Sequence, residues 1–191
     1  MIQFFISEVK MKINVGSGNT QLDGYVTIDR DQNSNPDYCL NLEKDKLPFQ
    51  DNTVETVVAH HVLEHLGEGY FHCLQELYRV CKHGAIIDIR VPHPRHDAFL
   101  ADPTHRRPVT PLGLQLFSKK FNKICRDTGA ASSQLGEYYD VDFDILEWNH
   151  IPDERYRIKL SDKSREFVEE YINERNNIVS EYHIRLVVNK Q

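Results

Sequence analysis

The segment Lys12–Asp31, KINVGSGNTQLDGYVTIDRD, constrains this chain more than any other. An apolar run, Ile13–Val15, stops at Gly16-Ser17-Gly18. Two glycines there let the backbone turn sharply and leave no Cβ in the path of a ligand. The segment reads as a β-strand, a glycine turn, a short helix and a second strand, Tyr25–Ile28, that closes on Asp29. An acid at that place can accept hydrogen bonds from a ribose diol. Alone, the Gly-Ser-Gly turn is equally a plain strand-to-helix connection. With the acid it predicts the front half of a nucleoside pocket in a doubly wound α/β fold.

Spacing narrows the ligand. The dinucleotide fingerprint G-x-G-x-x-G places a third glycine where this chain has Gln21, and an acid about 20 residues further on. Here Asp29 follows Gly18 by only eleven residues. The third glycine permits tight helix packing beside a pyrophosphate, so NAD, FAD and a nucleotide-dependent oxidoreductase are disfavoured. A short turn with a near acid suits a nucleoside ligand without a pyrophosphate, such as S-adenosylmethionine.

The following residues repeat strand and helix signals in order. Pro36–Phe49 reads as a third strand leading to a Leu-Pro-Phe turn, and Val54–Ala59 as a fourth strand running into His60-His61 and a helix. Leu74 opens a further helical stretch, Lys82-His83-Gly84 a turn, and Ala85–Val91 a fifth strand. On Val15–Gly18, Asp29, Leu47–Phe49, Val62–His65 and Lys82–Ala85, taken in this order, the chain resembles the S-adenosylmethionine-dependent methyltransferases of the Rossmann-like class, type 11 among them. Within that class Gly24–Asp29 and the Asp102-Pro-Thr-His105 loop resemble small bacterial and phage enzymes. The resemblance is close over residues 12–118 and loose beyond. It departs at Ser17, where relatives often carry Cys, at Lys82–Ala85, which lacks a glycine and a proline of the usual turn, and at Asn41, where Asp is common.

The fold implied is a doubly wound, mostly parallel seven-stranded sheet with helices on both faces and an antiparallel last strand, in one domain spanning 1–191. The cofactor implied is S-adenosylmethionine. Val15, Gly16, Ser17, Gly18 and Asn19 would form the turn that cradles its methionine end, with Asp29 at its ribose, Asn41 and Leu42 at its adenine and His60 where the methionyl part meets the acceptor. Arg30 and His61 are counted with the cofactor-binding residues, although His61, like His65, lies on a turn and helix start where structural hydrogen bonding is the plainer reading. Displacement of a sulfonium methyl needs no acid on the leaving group, so catalysis rests largely on alignment of donor and acceptor. A base is needed only for a hydroxyl or ammonium acceptor.

The loop Pro92–Pro111 follows the fifth strand, beyond the sheet edge where open α/β folds bind ligands. Three uses of its polar residues stay open. It is an acceptor lid with His105 or His93 as general base and Asp102 beside them, a metal site, or a set of structural hydrogen bonds. The His-x-x-His-Asp spacing matches no metal motif, and no metal ligands are assigned. Arg95, Arg106 and Arg107 gather around this loop and point to an anionic acceptor held through paired hydrogen bonds. A saccharide or polysaccharide precursor, methylated on oxygen ahead of nitrogen, is the acceptor class that the resemblance favours. A non-catalytic binding module of the same fold is the alternative.

The 191 residues carry a net charge of −6, which disfavours a broad nucleic-acid surface. Lys119–Arg126 reads as the solvated face of a helix. The apolar patch Ile2–Ile6, within an N-terminal extension over 1–11, is too short to span a membrane and lacks the flanks of a signal peptide. It is expected on the sheet edge or on a second subunit of a homo-oligomer. The four cysteines show no C-x-x-C pair and read as reduced thiols of a cytoplasmic protein. In the second half, Thr110-Pro111 starts a helix that Gly129 ends, Asp142–Trp148 is a strand, Ser161–Asn176 a helix and Tyr182–Val188 the last strand.

Overall fold

The computed structural model describes residues 10–190; the apolar patch Ile2–Ile6 lies outside them. Seven strands form one sheet: β1 (Met11–Val15), β2 (Val26–Asp29), β3 (Tyr38–Cys39), β4 (Val54–His60), β5 (Cys81–Pro92), β6 (Phe143–Pro152) and β7 (Val179–Val188). Their spatial order is β3-β2-β1-β4-β5-β7-β6. The five strands from β3 to β5 pair in parallel, and β7 runs antiparallel to both β5 and β6. The last strand alone therefore opposes the others, as the sequence implied.

Strand alternation divides the sheet into two unlike faces. On one, Ile13, Val57, Ile87, Ile89, Ile184 and Leu186 are at most 1% exposed. Full burial of such side chains stabilises by roughly 1.5–3 kcal/mol each. Helix α1 (Tyr70–Val80) adds Cys73, Leu74, Leu77 and Val80, one stripe at helical spacing, to the same core. Register puts Asn14, Val58, Asp88 and Arg185 in one row across the other face, with His60, Arg90 and His183 in the next. That face borders a shallow cavity of about 360 Å³ lined by strand residues and Tyr25.

The expected helix between β1 and β2 is absent. Gly16, Gly18 and Gly24 all adopt positive φ (64°, 48° and 75°), so the ten-residue connection is a series of left-handed turns that cannot build a helical ladder. The Ser17 N–H donates to the Ile28 carbonyl (3.1 Å) and the Asn14 amide to the Thr20 carbonyl (3.2 Å), which fixes the loop without a helix. The third strand shrinks to Tyr38–Cys39, followed by turns in which Asn41 and Asp45 bond neighbouring backbone. The helix expected over 110–129 is two: α3 (Pro111–Gln115), after a short α2 (Asp97–Ala101), and α4 (Lys119–Thr128). Ser118 restarts the chain between them, its Oγ accepting the Phe121 N–H and donating to Asp144. Thr110 caps α3 and Gly129 (φ 70°) ends α4, as their residue types foretold. After α5 (Leu135–Tyr138), α6 (Glu154–Leu160) and α7 (Arg165–Glu174) fill the β6–β7 connection where one helix was expected, around a small core of Leu160, Ile172, Ile178 and Val179. Among the described residues no helix is long and apolar enough to cross a membrane.

Candidate active site

At the carboxyl ends of β1, β2 and β4 lies a cavity of about 380 Å³. Its floor is the glycine turn. A Cβ built on Gly16 would stand 2.3 Å from the Val62 side chain, and its φ of 64° strains any L residue, so position 16 is closed to all but glycine. One turn on, the Gly18 N–H donates to Asp29 Oδ2 (2.7 Å), while the Asp31 N–H donates to Asp29 Oδ1 (2.8 Å). Two backbone donors thus fix the carboxylate at the cavity wall and leave each oxygen a second acceptor site.

Asn41 Oδ1 accepts the Glu43 N–H (2.9 Å), and the Asn41 N–H donates to Asp45 Oδ2 (2.8 Å). Asparagine here shapes an Asx turn and keeps one acceptor position. Glu43 also lines the cavity, and its Oε1 takes the Gly67 N–H (2.7 Å). His61 adopts φ 53°, a left-handed conformation rare for a non-glycine residue. The Glu64 carboxylate, 3.6 Å from its Nδ1, raises the His61 pKa against the effect of burial, with Glu181 adding to the rise.

Gly16, Gly18, Asn19, Asp29, Arg30, Asn41, Leu42 and His61 therefore meet at one cavity. Val15 and Ser17 are buried in the strand end and turn beneath it. His60, expected beside them, stands on the other face of the sheet, since successive strand residues point to opposite sides. There its Nε2 lies 2.7 Å from Asp88 Oδ1, and His183 Nε2 lies 3.0 Å from Oδ2. Burial works to raise the Asp88 pKa, but the hydrogen bonds with His60 and His183 prevail and hold it down at about 2.

The Pro92–Pro111 loop divides. His93 is buried at its start, 4.7 Å from the Tyr182 ring and 6.0 Å from that of His150, and burial pushes its pKa down to about 4. It does not share a cavity with His105. His96 caps α2 through Nδ1 and pairs with Asp153 through Nε2 (3.0 Å). The Asp102–His105 turn instead folds over the cavity at Gly16 and Asp29, which Thr104 lines. Asp102 Oδ1 accepts both the Thr104 N–H (2.8 Å) and its hydroxyl (2.7 Å), which lowers the Asp102 pKa. Thr104 and His65 line the cavity rim.

The expected arginine clamp does not assemble. Arg95 donates to the carbonyls of Ile172 and Asn173 at the end of α7, and Arg107 donates to that of Leu66 (3.0 Å) with its guanidinium 4.4 Å from the Tyr70 ring centre. Helix-end and turn carbonyls have too few donors of their own, and guanidinium forks satisfy them. Arg106 remains exposed and lines a second cavity of about 370 Å³ that shares Arg30, Glu43, His65 and Thr104 with the first. Glu43 and Thr104 line these cavities without having been singled out in the sequence, and His65, read there as a structural hydrogen-bonding residue, lines them too. The Val62–His65 motif and the Asp102–His105 loop pointed near them, but only the fold brings the two together.

Residues 21–89 match the family model of a methyltransferase domain. Among solved structures, a SAM-dependent methyltransferase from Archaeoglobus fulgidus superposes with a TM-score of 0.60 at 20% identity, over 93% of this chain and 86% of the other. A SAM-dependent methyltransferase from Methanosarcina mazei gives 0.55 at 14% identity, over 98% and 96%. The [4+2]-cyclase SpnF gives 0.56 at 15%, over 95% and 76%. No curated protein matches the sequence. At these identities the superpositions establish the fold, which is the Rossmann-like fold of these methyltransferases, and the family match is confined to residues 21–89.

Proposed function

We propose that the cavity at Gly16 and Asp29 holds S-adenosylmethionine and that the enzyme passes its methyl group to a hydroxyl of an anionic saccharide or saccharide precursor in the adjoining cavity, as a single-domain protein of the cytoplasm. The carrying observation is the glycine turn closed by Asp29: Gly16 leaves no room for a Cβ, Gly18 holds a left-handed φ, and the carboxylate beside them is held by two backbone N–H groups with acceptor capacity to spare. Gly16–Asn19 would lie along the methionine end, Asp29 and Arg30 at the ribose, and Asn41–Leu42 at the adenine. The bound cofactor supplies a methyl on a sulfonium, and the protein's share is to hold the acceptor oxygen in line with it. Arg30 and Arg106 favour a phosphate or carboxylate on the acceptor, since a guanidinium matches either through paired hydrogen bonds. His65, shared by both cavities, stands nearest to the junction, whereas His105 is packed behind it against Phe99 and His65.

Calorimetric titration with S-adenosylhomocysteine tests this reading. The parent protein should bind one equivalent. Gly16→Ala should weaken binding more than tenfold, whereas Gly84→Ala, with a similar positive φ but open space around it, should leave binding unchanged. Equal binding by Gly16→Ala and the parent would place the cofactor elsewhere.

A further inference from the structure

Behind the junction of the two cavities, Glu64 is 1% exposed and neither carboxylate oxygen has a hydrogen-bond partner. An isolated buried carboxylate is among the most expensive groups a protein can hold, so such a group is found paired with a cation or coordinating a metal. The nearest ring nitrogen of His61 lies 3.6 Å away, beyond hydrogen-bond reach.

Two histidines complete the surroundings. Thr104 Oγ1 gives its single proton to Asp102, so it must accept from His65, whose Nδ1 lies 2.8 Å away. His65 therefore carries its proton on Nδ1. His105 Nδ1 lies 2.7 Å from the Phe99 carbonyl, which can only accept, so this ring too is protonated on Nδ1. In both neutral rings Nε2 is left as a lone pair. A backbone carbonyl and a hydroxyl relay orienting imidazoles in this way are what the outer shell of a metal site does. Glu64, His65 and His105 each offer a ligand atom within 4.8 Å of the others, and Asp102 Oδ2 lies 3.9 Å from His105 Nε2.

We propose that Glu64, His65 and His105 bind a divalent transition-metal ion. One carboxylate and two imidazoles suit zinc, iron(II), cobalt or manganese better than magnesium or calcium, which prefer all-oxygen sites. The site adjoins the cavity that Asp29 lines, with His65 on its rim, and it stands independently of the acceptor's identity. The ion would answer the buried charge of Glu64 and join the Val62–His65 segment to the Asp102–His105 turn, tying the rim of both cavities together.

The test is titration of the full-length protein with zinc after dialysis against a chelator, followed by cobalt as an absorbing probe. One equivalent should bind, with a cobalt spectrum showing nitrogen and oxygen ligands and no sulfur. Glu64→Gln, which keeps the side-chain volume, should weaken binding at least tenfold, as should His105→Ala. His83→Ala and Cys39→Ser, at exposed residues away from the cluster, should leave binding as it was. Glu64→Gln should also raise the melting temperature of the metal-free protein, because it removes a buried carboxylate that has no hydrogen bond and only the His61 ring at 3.6 Å to face it, and so report on the site even where His105→Ala fails to fold. No stoichiometric binding, or binding that survives Glu64→Gln and vanishes in Cys39→Ser, would overturn the proposal.

Discussion

The two faces of the sheet are made by alternate residues of the same strands, yet they obey different rules. In β5, Ile87 and Ile89 face a core sealed by α1, whereas Ile86, Asp88 and Arg90 face a shallow polar cavity. Parallel sheets ordinarily bury both faces beneath crossover helices. Among the described residues, no α-helix occurs before Tyr70, and the connections after β1, β2 and β3 are turns and one short 3-10 turn. A chain that omits those helices must make the strand surface beneath them tolerable to water. This one does so with a carboxylate between two histidines and two arginines. The difference teaches that the cavity at Gly16 and Asp29 depends on strand ends and turns, not on a full complement of helices.

That contrast can be broken most directly by paired truncations. Ile89→Ala, on the sealed face, should lose about 2–5 kcal/mol of stability, the range for emptying a packed core position. Urea unfolding measures it, and a loss below about 1 kcal/mol would mean the core is not continuous there. Asp88→Asn on the polar face should have a smaller effect that depends on pH. The native carboxyl titrates at about 2, below its ordinary value of 3.8, so its contribution is present above about pH 4 and is lost as pH falls through 2. A shift of that size corresponds to on the order of 2 kcal/mol. The stability gap between parent and Asp88→Asn should therefore be full at pH 7 and shrink steadily below pH 4; a gap independent of pH would detach Asp88 from its histidines. Smallest of the three, Ile86→Ala should cost less than about 1 kcal/mol, since a half-exposed side chain leaves little cavity behind. A loss equal to that of Ile89→Ala would show that the polar face is covered in solution.

Much of this was legible in the residues. Gly16, Gly18 and Asp29 mark the turn at the first cavity because positive φ and a strand-ending acid are local requirements with few residue types to meet them. Thr110-Pro111, Gly129 and the opposed last strand were equally readable. The split of α3 from α4 was not read, since Leu112, Leu116, Phe117, Phe121 and Ile124 keep helical spacing across it, while the structure ends one helix before Ser118 and caps the next with its hydroxyl, itself held by Asp144 of β6. Nor was the dispersal of the arginines: Arg95 and Arg107 look free in sequence until the carbonyls of Ile172, Asn173 and Leu66 come within reach. His60 went to the wrong side because adjacent histidines at a strand end cannot share a face, a rule the sequence contains but a motif match ignores.

By itself the sequence determined the succession of strands along the chain, the glycine turn and the acid that ends β2, since each depends on backbone preference and on neighbours a few residues apart. Only the tertiary structure decided which polar residues meet. Glu64 and His65 stand some forty positions before His105, and Asp88 is nearly a hundred before His183. No local preference encodes such meetings. They follow from strand register and loop packing, which are fixed only when the whole sheet closes.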